Sequence, residues 1–159
     1  MEIIIRKMEE KDLPSMIRIW NEIVKEGIAF PQMEELQDGR FFLEQDYSAV
    51  AQINGKVEGL YIIHPNSIGR CGHISNSSYA VSKAARGKGL GRKLVEHSLK
   101  QAKELGYRIH QFNAVVKTNS SAHALYESLG FIKIGEIPGG FLMKNGTYED
   151  IVLYYYFLK

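Results

Sequence analysis

Cysteine is nearly missing: one residue, Cys71, in 159, so no internal disulfide can brace the fold and no paired-thiol metal site exists. The histidines, His64, His73, His97, His110 and His123, show no HxxxH spacing, and no metal site is expected. No apolar run approaches the roughly 20 residues that a membrane span needs. The opening MEIIIRKMEEKD meets Arg6 and Lys7 too early for an apolar leader, so the expected setting is cytoplasmic, with no membrane partner. Without such a leader, the N-x-S/T tripeptides at Asn76, Asn119 and Asn145 are not read as glycosylation sites. A strong charge of either sign is absent too. A net charge of +2 gives no reason to expect a nucleic-acid partner.

What is present is an ordinary globular composition, 45% hydrophobic and 24% charged, with a length that suits one domain over residues 1–159. Glu2 to Arg6 reads as a strand. Asp12 and Pro14 then open a helix whose core face carries Met16, Ile17, Ile19, Trp20, Ile23 and Val24. Between Phe30 and Gln45 the pattern is irregular, with a short helix expected near Phe41 to Gln45, and such a segment commonly walls a substrate site. Asn54-Gly55, between the β-rich runs Ser48 to Ile53 and Lys56 to Ile63, predicts a type I′ hairpin.

His73 to Ser82 reads as a strand, oddly rich in serine and asparagine for a central position. A glycine-rich basic loop and a helix over Leu90 to Leu105 follow it, then a strand over Arg108 to Val116 and a helix over Ser120 to Leu129. Strands near Phe131 to Ile137 and Asp150 to Phe157 close the chain, and the apolar run Ile151 to Leu158 suits either a core strand or a homodimer contact. The order predicts an α/β (α+β) fold: a mixed, mostly antiparallel sheet of about seven strands with helices on both faces.

The loop RGKGLGRKL, Arg86 to Leu94, precedes a helix N-terminus, where unsatisfied N–H groups and glycines favour a close-held anion such as a diphosphate. Arg86, Lys88, Arg92 and Lys93 add cations. It is not a Walker A loop, because Leu94 follows Lys93 where a Ser or Thr is required, and the third glycine comes one residue early for a Rossmann fingerprint. Taken alone, the stretch fits a plain glycine turn as well.

A second motif lies some thirty residues on, at Asn119, Ala122, Leu125, Tyr126, Gly130 and Phe131. With both, the chain resembles the GNAT superfamily of acetyl-coenzyme A dependent N-acetyltransferases, whose loop Q/R-x-x-G-x-G/A is matched by Arg86, Gly89 and Gly91. The resemblance implies that the backbone of Arg86, Gly87, Lys88, Gly89, Leu90, Gly91 and Arg92 holds the diphosphate of acetyl-CoA. It further implies that Tyr79, Ala80 and Val81 meet the pantetheine arm, that Asn119 bonds the cofactor, and that Tyr126 is the catalytic acid for the departing thiolate. Plainer readings stand beside these: Tyr126 packing in its helix, Asn119 capping it.

HISNSSYAV, Gln111 to Val116, Thr118-Asn119 and the tail from Gly146 also resemble the fungal N-acetyltransferases that detoxify azetidine-2-carboxylate. That resemblance implies a small amine substrate, a proline-like amino acid among the options, with Asn76 and Asn113 as substrate contacts. Protein N-termini, lysine, polyamines, aminoglycosides and a noncatalytic acyl-CoA sensor are the alternatives. The glutamate that the family often carries on the strand before the loop is missing between His73 and Ser82, and no base is assigned, although His73 and His110 are of the right chemical type.

Overall fold

The computed structural model describes Met1 to Lys159. Its strands are β1 (Ile3–Lys7), β2 (Tyr47–Ile53), β3 (Lys56–Pro65), β4 (Ile74–Val81), β5 (Ile109–Val116), β6 (Ile132–Leu142) and β7 (Tyr148–Phe157), and its helices α1 (Leu13–Glu26), α2 (Arg40–Leu43), α3 (Leu90–Glu104) and α4 (Ser120–Ser128). They form one seven-stranded sheet in the order β1-β2-β3-β4-β5-β7-β6. Every pairing is antiparallel except β4 with β5, the pair that α3 connects. No helix is long and apolar enough to cross a membrane.

Asn54 at φ 50° and Gly55 at φ 83° make the expected hairpin turn. One sheet face is covered by α1 and α2, where Met16, Ile19, Trp20 and Phe42 meet Val50, Leu60, Ile62 and Ala80. On the other face, Leu90, Leu94 and Ala102 of α3 pack on Tyr61 and Ile63, and Val95 joins Phe112, Phe131, Val152 and Tyr154 under α4.

Four expectations change. Asp12 stands before α1 but does not cap it with its side chain: Arg6 grips its carboxylate at 2.8 and 3.0 Å, and Glu9 N–H donates to it in a capping box on the preceding 3-10 turn. The guanidinium holds this carboxyl below its usual range. The short helix begins earlier, at Arg40, and ends at Leu43. β6 runs on to Leu142 because bulges between Lys133 and Gly135 and between Ile137 and Phe141 absorb the glycines that hid its alternation, and β7 begins at Tyr148. β7 is also paired on both sides, so the apolar C-terminal run is an inner strand, and β1 and β6 are the edges.

Candidate active site

The parallel pair β4 and β5 is joined at Ile74↔Ile109 and Ser75↔His110 alone, and beyond this point the strands part. The direction of the backbone in the gap follows from strand alternation. Asn66 N–H donates to Ile74 O and Ser82 N–H to Glu58 O, so even-numbered β4 residues bond to β3, while Ser77, Tyr79 and Val81 turn their main-chain groups toward the absent neighbour. A strand edge has been opened inside the sheet, and one groove runs through it.

At one end of the groove lies the glycine loop. It passes through a 3-10 turn, Lys83–Ala85, and then Gly87 and Gly89 take φ +79° and +77°, a region costly for any residue with a Cβ. From Gly87 through Arg92 no backbone N–H has an acceptor in the chain. Gly91 decides between a mere turn and an anion cradle. Its φ is not positive, a Cβ there would meet nothing within 4 Å, and glycine in a helix costs about 1 kcal/mol against alanine. Neither backbone geometry nor packing calls for Gly91.

The cations are less free than the sequence suggested. Arg86 is held by Glu26 at the end of α1, a bidentate pair that keeps the Glu26 carboxyl below its usual range. Arg92 spans Glu96 at 3.1 Å and Ser128 Oγ at 2.9 Å, tying α3 to α4. Lys88 and Lys93, both exposed, make no ion pair, so the main chain and two lysines supply the positive potential. Leu90 contributes its N–H while its buried side chain anchors the loop in the core.

In the middle of the groove stands Tyr126 of α4. Its ring lies 4.4 Å from that of Phe112 and 5.5 Å from that of Phe131, so both packing and groove-lining readings hold. Its hydroxyl has no hydrogen-bond partner in the chain, and burial pushes the phenol well above its ordinary range, so it carries its proton at any working pH. Tyr79 differs, since its hydroxyl is taken by Ser98 at 2.6 Å. Asn119 caps α4 by accepting from Ala122 N–H through Oδ1, and its Nδ2, on the groove lining, has no partner in the chain.

At the other end the gap widens into a cleft of about 330 Å³ between the segment Ala29 to Gln32, β4 and β5. Asn76 and Asn113 do share a face here, and both are bound to a residue that sequence reasoning missed: Asn66, whose Oδ1 accepts from Asn76 Nδ2 at 2.9 Å and Asn113 Nδ2 at 2.6 Å. Gln111 Nε2 donates to Asn113 Oδ1, so of the three asparagine oxygens Asn76 Oδ1 is the one without a donor. None of the side chains lining the cleft is an aspartate, glutamate, lysine or arginine. Ser77 Oγ, buried and without a partner, completes the polar lining.

The odd polarity of β4 is thereby explained on both faces. Ser75 bonds His110 at 2.6 Å, Asn76 bonds Asn66, and Ser82 bonds the buried Glu58. His110 is fully buried, and desolvation lowers its pKa to about 3, so it is a neutral core residue and does not reach the cleft. His73 lies elsewhere, beside Gly106 and Tyr107, and Cys71 lines neither end of the groove.

An open parallel strand pair, a bare amide run into the first turn of α3 and a tyrosine between them are compatible with acyl transfer, and sequence comparison supplies the class. The acetyltransferase (GNAT) family model matches residues 13–131, and the chain belongs to that family, whose acyl donor is acetyl-CoA. It is 38% identical over 111 residues to N-acetyltransferase aca1 of Schizosaccharomyces pombe, which is 68% of this chain and 53% of that protein, so the match spans about half the relative's length. A 5-NmdU N-acetyltransferase of Pseudomonas phage PaMx11 is 33% identical over 91 residues, 57% of this chain and 61% of the phage protein. Among solved structures, a GCN5-related N-acetyltransferase from Kribbella flavida superposes with a TM-score of 0.90 at 32% identity, over 98% of each chain. A phosphinothricin acetyltransferase from Sinorhizobium meliloti, solved with AcCoA, shares the fold at TM-score 0.88 and 23% identity, over 99% of this chain and 89% of its own.

Proposed function

We propose that this chain is an acetyl-CoA dependent N-acetyltransferase domain whose acceptor is a small neutral or zwitterionic amine, with proline-like amino acids as the leading candidates. The observation that carries the reading is the contrast within one groove: unpaired main-chain amides at one end, a polar cleft without charged side chains at the other. A polyamine or aminoglycoside would have to leave several positive charges unpaired in such a cleft, at a cost of several kcal/mol. The cleft volume suits a small molecule.

Bound acetyl-CoA supplies a thioester whose carbonyl carbon is open to an amine. In this reading the amides from Gly87 to Arg92 fix the diphosphate, Val81 N–H faces the thioester oxygen, and Asn119 Nδ2 steadies the arm. Tyr126 hydroxyl donates to the sulfur and gives its proton to the departing thiolate. Its raised pKa makes it a reluctant acid, so the transfer accompanies C–S cleavage rather than preceding it. Asn76 Oδ1 accepts from the acceptor's ammonium N–H as it binds, before the amine is neutralised. The exposed free thiol of Cys71 fits a reducing, cytoplasmic setting.

Thiol release from acetyl-CoA, followed against proline analogues, amino acids, polyamines and peptides, tests the proposal. Turnover confined to small neutral or zwitterionic amines is expected. Preference for polyamines or peptides overturns the acceptor assignment, and CoA binding without turnover on any amine favours a sensor.

A further inference from the structure

His64, at the end of β3, is one of three histidines not considered as a base from the sequence, and the structure sets it apart from the other four. His97 is bonded to Tyr61 hydroxyl, and His123 uses both nitrogens, accepting from Tyr154 hydroxyl and donating to Val116 O. His110 is sealed in the core, and His73 faces another depression. His64 lines the acceptor cleft, and its Nδ1 lies 2.9 Å from Pro65 O. A carbonyl only accepts, so Nδ1 carries the hydrogen and Nε2 is a bare lone pair, with no partner in the chain.

We propose that His64 Nε2 is the general base of this acetyltransferase, taking the proton from the acceptor nitrogen. The inference rests on the acetyltransferase reading above. Register places His64 opposite Asn76, the residue whose free Oδ1 is offered to the acceptor, and strand alternation puts both on the α1 side of the sheet. Tyr126 approaches from the α4 side. The two proton-exchanging groups therefore stand on opposite sides of the opened strands, one where an amine enters and the other where sulfur leaves.

The proton balance closes. A zwitterionic acceptor first releases its ammonium proton to solvent and reacts as the neutral amine; as its nitrogen bonds to the acetyl carbon, its remaining proton passes to His64 Nε2, the C–S bond breaks, and the sulfur keeps the electron pair and takes the Tyr126 proton. Solvent returns a proton to the phenolate and removes one from the imidazolium, leaving amide and free thiol.

The other titratable side chains lining the cleft, Tyr79 and Tyr126, are phenols that burial keeps protonated. From β4 His64 faces Asn76 and Ser78, from β5 Asn113, and from the segment after α1 Gln32, none of them titratable. Across β2, Asp46 gives its carboxylate to Tyr107 hydroxyl, and the nearby His110 is held neutral by burial.

The test pairs kinetics with a spectroscopic readout. In wild-type protein, kcat/KM should rise with pH through a limb whose midpoint stays fixed when acceptors of different amine pKa are exchanged. His64→Asn, which keeps a donor for Pro65 O, should lose that limb and about 100-fold in kcat/KM at neutral pH, with CoA affinity by calorimetry unchanged within twofold. Long-range ¹H–¹⁵N spectra of the ligand-free wild-type chain should show His64 as the Nδ1–H tautomer. A retained limb in the variant, or an Nε2–H tautomer, overturns the assignment without touching the acetyltransferase reading, whereas loss of all turnover in wild-type protein strikes that reading instead. If His64→Asn does not fold, His64→Gln gives the kinetic result, and the tautomer is read on wild type in either case.

Discussion

The two ends of the groove, proposed above as the donor and acceptor sites, are built by different means. The donor end uses main-chain amides on one contiguous stretch, Gly87 to Arg92, and side chains there either anchor the loop, as Leu90 does, or brace it from outside, as Arg86 does through Glu26. The acceptor end uses side chains gathered from the segment after α1, the end of β3, β4 and β5, and its key amide, Asn66, touches two strands at once. A backbone site tolerates change in most of its side chains and is intolerant of a few Cβ atoms. A side-chain site is the reverse, and it can be retuned for a new acceptor without disturbing the donor end.

Tyr126, which lines both ends, is where that separation should fail most visibly. Tyr126→Phe removes the hydroxyl and keeps the ring contacts with Phe112 and Phe131. We expect kcat to fall about 100-fold for every acceptor, with CoA affinity and acceptor KM changed less than about threefold, as measured by steady-state kinetics and calorimetry. An unchanged kcat removes its acid role and leaves Tyr126 as a packing residue.

Asn66→Ala should then affect the acceptor end alone. It frees Asn76 and Asn113 from their shared anchor, at a cost of about 1.4 kcal/mol, and raises acceptor KM about tenfold while KM for acetyl-CoA stays put. Equal changes in both KM values would mean that the two ends are coupled through the sheet.

The same contrast explains how much was legible in the sequence. The glycine loop, the Asn54-Gly55 hairpin and the core face of α1 are local codes, readable because the residues that act together are neighbours or lie one helical turn apart. Asn76 and Asn113 are named from the sequence as substrate contacts, but their meeting at Asn66 depends on a register that no local pattern carries. His64 sits in a continuous apolar strand and reads as nothing unusual until the β3–β4 pairing puts it beside Asn76. Asp12 shows the opposite error. A good capping letter in the right place was claimed instead by Arg6, a long-range partner offering stronger, charge-assisted bonds.

The smallest expected effect is the sharpest test of the donor end. Gly91→Ala places a methyl group where nothing lies within 4 Å, in the first turn of α3, so the ligand-free chain should become more stable, by up to about 1 kcal/mol, in thermal or denaturant unfolding. If the glycine is there so that a diphosphate can reach the amides, the same methyl should weaken CoA binding about fivefold in calorimetry, roughly 1 kcal/mol. The two signs must be opposite. Greater stability with unchanged affinity would make Gly91 an ordinary helix residue and return the loop to a glycine turn, whereas a less stable ligand-free chain would mean that the methyl meets an obstacle in the fold. Only a chain that gains stability and loses affinity together identifies the amides of this turn, rather than its lysines, as the element that holds the donor.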